Sequence, residues 1–246
     1  MASLRLQRFL ASAGIGSRRQ CEQMILDGLV KVNGQRVDSL PAFIDPEKDQ
    51  VTVRGRPVRP VQKVYYVLNK PKGVICTNLD PQGRPKAVDL VPQRPMVSCV
   101  GRLEADTTGL IVLTNDTSLA AGLARRDCPV ARTYLVTVKG RIEDRHIEKI
   151  VKGACLPDGR SKASAVKVVS RNKRQSVIEV SIGAGVHCHL QRLLMRVGLE
   201  VIGLKRTRFG PIFIKGLGQG MWRRLTNREL AQLRAKVFGQ DPGHSA

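Results

Sequence analysis

The segment Gly101-Arg102-Leu103-Glu104-Ala105-Asp106-Thr107-Thr108-Gly109-Leu110 sets two carboxylates, Glu104 and Asp106, beside Arg102. A carboxylate can take a proton or attack carbon, so these are the first candidates for chemistry. His187-Cys188-His189 joins residue types that bind zinc, but three adjacent side chains at a helix start do not converge on one ion and no second cluster completes four ligands. Neither a metal nor another cofactor is expected. Against 20 acidic residues stand 42 Lys and Arg, a formal charge of +22, which points to a polyanionic partner. No apolar run approaches the roughly 20 residues that span a bilayer, and Arg5 and Arg8 interrupt any signal-like apolar core. The six cysteines include no CxxC pair, and the reading is a reducing, cytoplasmic compartment.

The elements that must carry these groups fall into two parts. Leu6, Phe9, Leu10 and Ala13 lie at helical spacing over residues 5–13, and Gly14 stops the helix. Ser17 caps a second helix over 17–27, with Cys21, Met24 and Ile25 on its apolar face. Val30-Lys31-Val32, Asn33-Gly34 and Arg36-Val37 read as a hairpin, and Val51-Thr52-Val53 as a strand. Arg56 to Val61, with two prolines, reads as a linker, which closes a small domain at 1–60. Ten basic and six acidic residues lie up to Pro60, so +18 of the +22 falls on the remainder. Both parts are expected to touch the same polyanion. Over 61–240, strand-like runs at 64–68, 110–113, 134–138 and 177–180 alternate with helical segments at 117–125, 143–151 and 187–197. A last helix starts at a Thr226 cap. This predicts an α+β domain on a largely antiparallel sheet with flanking helices. The tail, 241–246, is expected to be disordered.

Two resemblances follow from these motifs. Ser17-Arg18-Arg19 and Val30-Lys31-Val32-Asn33-Gly34 resemble the small RNA-binding domain of the fourth small-subunit ribosomal protein. That likeness implies phosphate contacts from Arg18, Arg19 and Lys31. Asn69-Lys70-Pro71-Lys72-Gly73, Gly101 to Leu110, Arg132-Thr133-Tyr134-Leu135-Val136, Val197 to Val201 and Leu204 to Pro211 resemble the ribosomal RNA pseudouridine synthases. Members of that family break the bond between ribose and uracil, turn the base and rejoin it through carbon, without cofactor or metal. The resemblance implies a catalytic carboxylate at position 104, with Arg102 beside it. It also implies an aromatic ring, Tyr134, packed on the extruded base. Lys70, Lys72, Arg125, Arg126, Arg192, Lys205, Arg206 and Arg208 are read as lining an RNA groove. The implied partner is ribosomal RNA or a pre-ribosomal particle; a monomer is the default expectation, and the absence of a spanning apolar run argues against membrane attachment.

Two positions depart from the family pattern. Glu104 stands where the family has aspartate, and the extra methylene displaces the carboxylate by about 1 Å, a misplacement that can cost roughly 100-fold in rate. The third motif reads Ala184-Gly185-Val186-His187-Cys188-His189-Leu190-Gln191-Arg192-Leu193, with Gln191 where an arginine pairs with the aspartate. An amide does not supply the charge-assisted fork that holds a carboxylate ionised and oriented. Asp106 is an acidic but non-catalytic position in the family, and His187 or His189 as an alternative base has no further support. Two expectations result: a uridine isomerase that uses Glu104, or a catalytically degenerate relative that binds ribosomal RNA as an assembly or chaperone factor. Family membership favours the first and the paired change at 104 and 191 the second.

Overall fold

The computed structural model describes residues 3–59, 61–125, 127–157, 159–184 and 189–239. The tail and His187-Cys188 lie outside the described residues, as does Arg126. Two compact units divide the chain, the first running to Val64 and including Gln93–Met96 and Asn115–Thr117.

The first unit contains β1 (Leu4–Arg5), α1 (Leu6–Ser12), α2 (Arg18–Leu26), β2 (Val30–Val32), β3 (Gln35–Val37), β4 (Phe43–Ile44), β5 (Val51–Val53) and β6 (Arg56–Val58). Ser17 caps α2 as expected: its Oγ accepts the Gln20 amide while the Gln20 side chain accepts the Ser17 amide, which closes a capping box. Leu6, Phe9, Leu10, Cys21, Ile25, Val30, Ile44, Val51 and Val53 form one buried cluster. Asn33 and Gly34 take φ of 51° and 83°, as the tight β2–β3 turn requires. Arg54 and Gly55, at 50° and 76°, build a second such turn between β5 and β6. The linker expected from Arg56 is therefore corrected: Arg56–Val58 is the edge strand of a β3-β2-β5-β6 sheet. An edge strand tolerates Pro57 because its missing N–H can face away from the ladder.

The second unit contains β7 (Tyr65–Lys70), β8 (Ser98–Cys99), β9 (Thr108–Thr114), α3 (Thr117–Ala124), β10 (Arg132–Lys139), α4 (Asp144–Lys152), β11 (Ala154–Leu156), β12 (Gly159–Ser161), β13 (Ala165–Arg171), β14 (Gln175–Ile182), α5 (Leu190–Arg196), β15 (Val201–Phe209), β16 (Ile212–Phe213), β17 (Trp222–Arg224) and α6 (Asn227–Phe238). The main sheet runs β13-β14-β10-β15-β9-β7-β17, with β16 on β15 and β8 on β9. Among the described residues its pairings are antiparallel, apart from β9 with β15. The fold is α+β, as the mixed elements predict. β14 alternates, burying Ser176, Ile178, Val180 and Ile182. β9, enclosed by neighbours, is buried along almost its whole length. Leu193, Leu194, Ile150 and Leu199 pack on Val136, Val138, Ile178 and Val180, whereas Leu119, Leu123 and Leu233 pack with Leu110, Val112 and Phe209 in a second cluster.

One row of residues crosses four strands. Tyr134 of β10 pairs with Arg206 of β15, Arg206 with Gly109 of β9, and Gly109 with Lys70 of β7. Gly109 is the tight point, since a Cβ there would lie 2.3 Å from the Arg206 carbonyl oxygen and its φ is +100°. The parallel ladder ends at Gly109, and the next carbonyl, that of Leu110, accepts instead from Arg206 Nε at 2.6 Å. On the other side the Lys70 ammonium is wholly buried and donates to the carbonyls of Pro71, Val74 and Ala105 at 3.1, 2.6 and 3.2 Å. Burial holds its pKa below the ordinary lysine range.

Two substitutions test this row. Gly109→Ala adds a backbone clash to an unfavourable φ and is expected to cost at least about 3 kcal/mol. Lys70→Met leaves the Val74 and Pro71 carbonyls without their donor and is expected to cost about 1–3 kcal/mol. Denaturant unfolding followed by fluorescence of Trp222, the single tryptophan, reads both. A wild-type midpoint for either variant removes the corresponding constraint.

Candidate active site and RNA-binding residues

The loop from Gly101 to Thr107 joins β8 to β9, and three contacts set its path. The Leu103 side chain is buried, and its amide donates to Cys76 Sγ at 3.5 Å. The Ala105 carbonyl accepts both the Gly73 amide, at 2.9 Å, and the Lys70 ammonium. The Thr107 amide closes a turn onto the Glu104 carbonyl at 3.1 Å. With Leu103 turned inward, the neighbouring side chains of Arg102 and Glu104 are left exposed. The Asn69-Lys70-Pro71-Lys72-Gly73 motif thus acts on this loop through its backbone: Gly73, at φ +82°, and Lys70 both hold Ala105.

Topology brings other segments to the same place. β9 and β15 are parallel neighbours, so the loop before β9 and the segment leading into β15 arrive at one end of the sheet. A cavity of about 110 Å³ opens there, lined by Arg102, Leu103, Glu104, Thr107, Tyr134, His189, Leu190, Gln191, Arg192 and Leu204. Tyr134, half-buried on β10, presents its ring at this wall while packing against the core below. Gln191 and Arg192 come from the first turn of α5, which begins at Leu190; the expected start at 187 falls outside the described residues.

Among the described residues, neither Glu104, Arg102 nor Gln191 forms an ion pair or a side-chain hydrogen bond. Asp106 is exposed and does not line the cavity. His189 does line it. Among the described residues no group of His, Cys, Asp or Glu is arranged to hold a metal ion.

Two residues expected to contact RNA are placed elsewhere. Lys70 is wholly buried under the loop, and Arg206 is buried against Leu110 and over the Phe209 ring, its guanidinium carbon 5.2 Å from the centroid. Both cations are satisfied by backbone carbonyls and do not reach a phosphate. Their sequence signal was only that of a basic residue, which does not separate a buried clamp from a surface contact. Lys72 and Arg192 are exposed. Arg125 pairs with Asp127 at 2.6 Å, and Arg208 lies over the exposed Phe213 ring at 4.6 Å.

In the first unit Arg18, Arg19 and Lys31 are all exposed, in positions that folding alone disfavours. Arg18 and Arg19 open α2, where the helix dipole is positive and a cation is unfavourable. Lys31 stands opposite Arg36 across the β2–β3 ladder, a like-charge pair. Concentrated positive charge retained against these local costs suits an anionic ligand.

Comparison with known proteins accounts for both units. The family model described as RNA pseudouridylate synthase matches residues 64–194, and the S4 domain model matches residues 4–46. An uncharacterised RNA pseudouridine synthase of Aquifex aeolicus is 38% identical over 95% of this chain and 94% of its own length. The ribosomal large subunit pseudouridine synthase B of Bacillus subtilis is 36% identical over 94% of this chain and 96% of its own. A crystal structure of a pseudouridylate synthase superposes with a TM-score of 0.63 at 27% identity, covering 94% of this chain and 99% of that one. The loop, the sheet and the small basic unit therefore have one explanation: the chain belongs to the RNA pseudouridylate synthase family and begins with an S4 domain.

Proposed function

We propose that the protein binds ribosomal RNA of the large subunit, takes an extruded uridine into the cavity beside Glu104 and isomerises it to pseudouridine. The observation that carries this reading is the convergence of Arg102, Glu104, Tyr134, Gln191 and Arg192, from three separated segments, on one open cavity. The relatives named for the large ribosomal subunit supply the substrate class. Tyr134 stacks on the flipped base, and Arg102 and Arg192, both exposed, meet the flanking phosphates. Glu104 provides the carboxylate at the sugar face, as nucleophile or as proton acceptor.

A second reading rests on a specific observation: Glu104 has no cationic partner among the described residues, and Gln191 occupies the wall of the cavity that it shares. In that reading the RNA is held and the base extruded, but the bond to ribose is not broken, and the protein acts in ribosome assembly.

The two readings separate when unmodified large-subunit ribosomal RNA is incubated with the protein and pseudouridines are mapped chemically. The wild type is expected to form pseudouridine, Glu104→Gln to form none, and the Glu104→Asp, Gln191→Arg double variant to react about 100-fold faster, the cost of roughly 1 Å of misplacement. Tight RNA binding with every uridine left unmodified by the wild type would replace the first reading with the second. In the small unit, Arg18→Ala with Lys31→Ala is expected to lower the slope of log affinity against log salt by about 2, one for each phosphate no longer neutralised. An unchanged slope would place the RNA elsewhere.

A further inference from the structure

Beside the loop that carries Glu104 lies a pair of thiols for which the isomerisation has no use. Cys76 lies beyond the end of β7, and Cys99 lies on β8, paired with Leu113 of β9. Neither is in a disulfide, both are partly exposed, and their side chains are hydrogen-bonded to each other. The Leu103 amide, one residue before Glu104, donates to Cys76 Sγ at 3.5 Å. The charges acting on both thiols are those of the buried Lys70 ammonium and Arg206 guanidinium. Asp106 acts on Lys70 as well. Buried cations are costly without a nearby anion, and a Cys76 thiolate supplies one.

We propose that Cys76 and Cys99 form a thiol–disulfide switch beside the Glu104 loop, with Cys76 as the attacking thiolate and hydrogen peroxide as the oxidant. The hydrogen bond from Cys99, with the Leu103 amide and the two cations, brings the Cys76 thiol down to about 6 against the opposing effect of burial. The same hydrogen bond, reinforced by burial, pushes the Cys99 thiol up. At neutral pH the pair is one thiolate and one thiol, the arrangement of an attacking and a resolving cysteine. Cys76 sulfur attacks the peroxide: an S–O bond forms, the O–O bond breaks, and the departing hydroxide takes a proton to leave as water. Cys99 sulfur then attacks the sulfenic sulfur of Cys76; the S–S bond forms, the S–O bond breaks, and the hydroxyl leaves with the Cys99 proton as a second water. Two electrons pass from the two sulfurs to one peroxide, and a dithiol reductant returns them by exchange. The disulfide carries no negative sulfur, so Lys70 and Arg206 lose the counter-charge of the thiolate, with Asp106 still acting on Lys70, and the Leu103 amide loses a charged acceptor.

The test uses the full-length reduced protein and does not depend on isomerase activity. Alkylation by iodoacetamide, followed peptide by peptide, is expected to give Cys76 a pH midpoint near 6, well below the free-thiol value of about 8.5. One equivalent of peroxide is expected to join the peptides containing Cys76 and Cys99 and to speed hydrogen exchange at the Leu103 amide by roughly tenfold, as loss of a protecting acceptor requires. In Cys99→Ser, dimedone is expected to trap a Cys76 sulfenic acid. A Cys76 midpoint near the free-thiol value of about 8.5, peroxide products that link other cysteines, or a Leu103 amide unmoved by oxidation would each overturn the switch.

Discussion

The close parallel contact between β9 and β15 governs the second unit. Among the described residues two pairs make it, Thr108 with Lys205 and Gly109 with Arg206, and only glycine fits at 109. Because the strands run the same way, what precedes each of them arrives at the same end of the sheet. The loop bearing Arg102 and Glu104 precedes β9, and α5, bearing Gln191 and Arg192, precedes β15. Tyr134 joins them because β10 pairs with β15 in the register that sets Tyr134 opposite Arg206. A site assembled from segments nearly 90 residues apart thus follows from one short ladder.

Rigidity at that point comes from two buried cations rather than from apolar packing alone. Arg206 replaces the missing ladder bond to Leu110, and Lys70 gathers three carbonyls, one of them in the Glu104 loop. A buried ammonium is expensive unless its donors are used, and here all three are. The same two charges act on the Cys76–Cys99 pair, so the electrostatics that fix the loop also bear on its neighbouring thiols. Loop placement and thiol chemistry are therefore linked through one local field.

Local signals were legible where local physics decides. The Ser17 and Thr226 caps, the Asn33-Gly34 turn and the alternation of β14 all emerge from neighbouring residues, and the structure shows each. β6 reads as a linker by sequence because of its two neighbouring prolines, yet the Arg54-Gly55 turn returns the chain along β5 as an edge strand. β15 was legible only as motif residues, since its Lys205-Arg206-Thr207-Arg208 run has no strand-like apolar pattern; pairing on both sides makes it a strand.

From the sequence alone came the family resemblance, the surplus of positive charge and the presence of Glu at 104 and Gln at 191, because these are matters of residue identity. Which cations face solvent was decided by the tertiary structure. Arg18, Arg19, Lys31, Lys72 and Arg192 are exposed, whereas Lys70 and Arg206 are drawn inward by carbonyls that lie far away in the chain or lack a ladder partner. Charge is written in the sequence, but its burial depends on which acceptors the fold brings within reach.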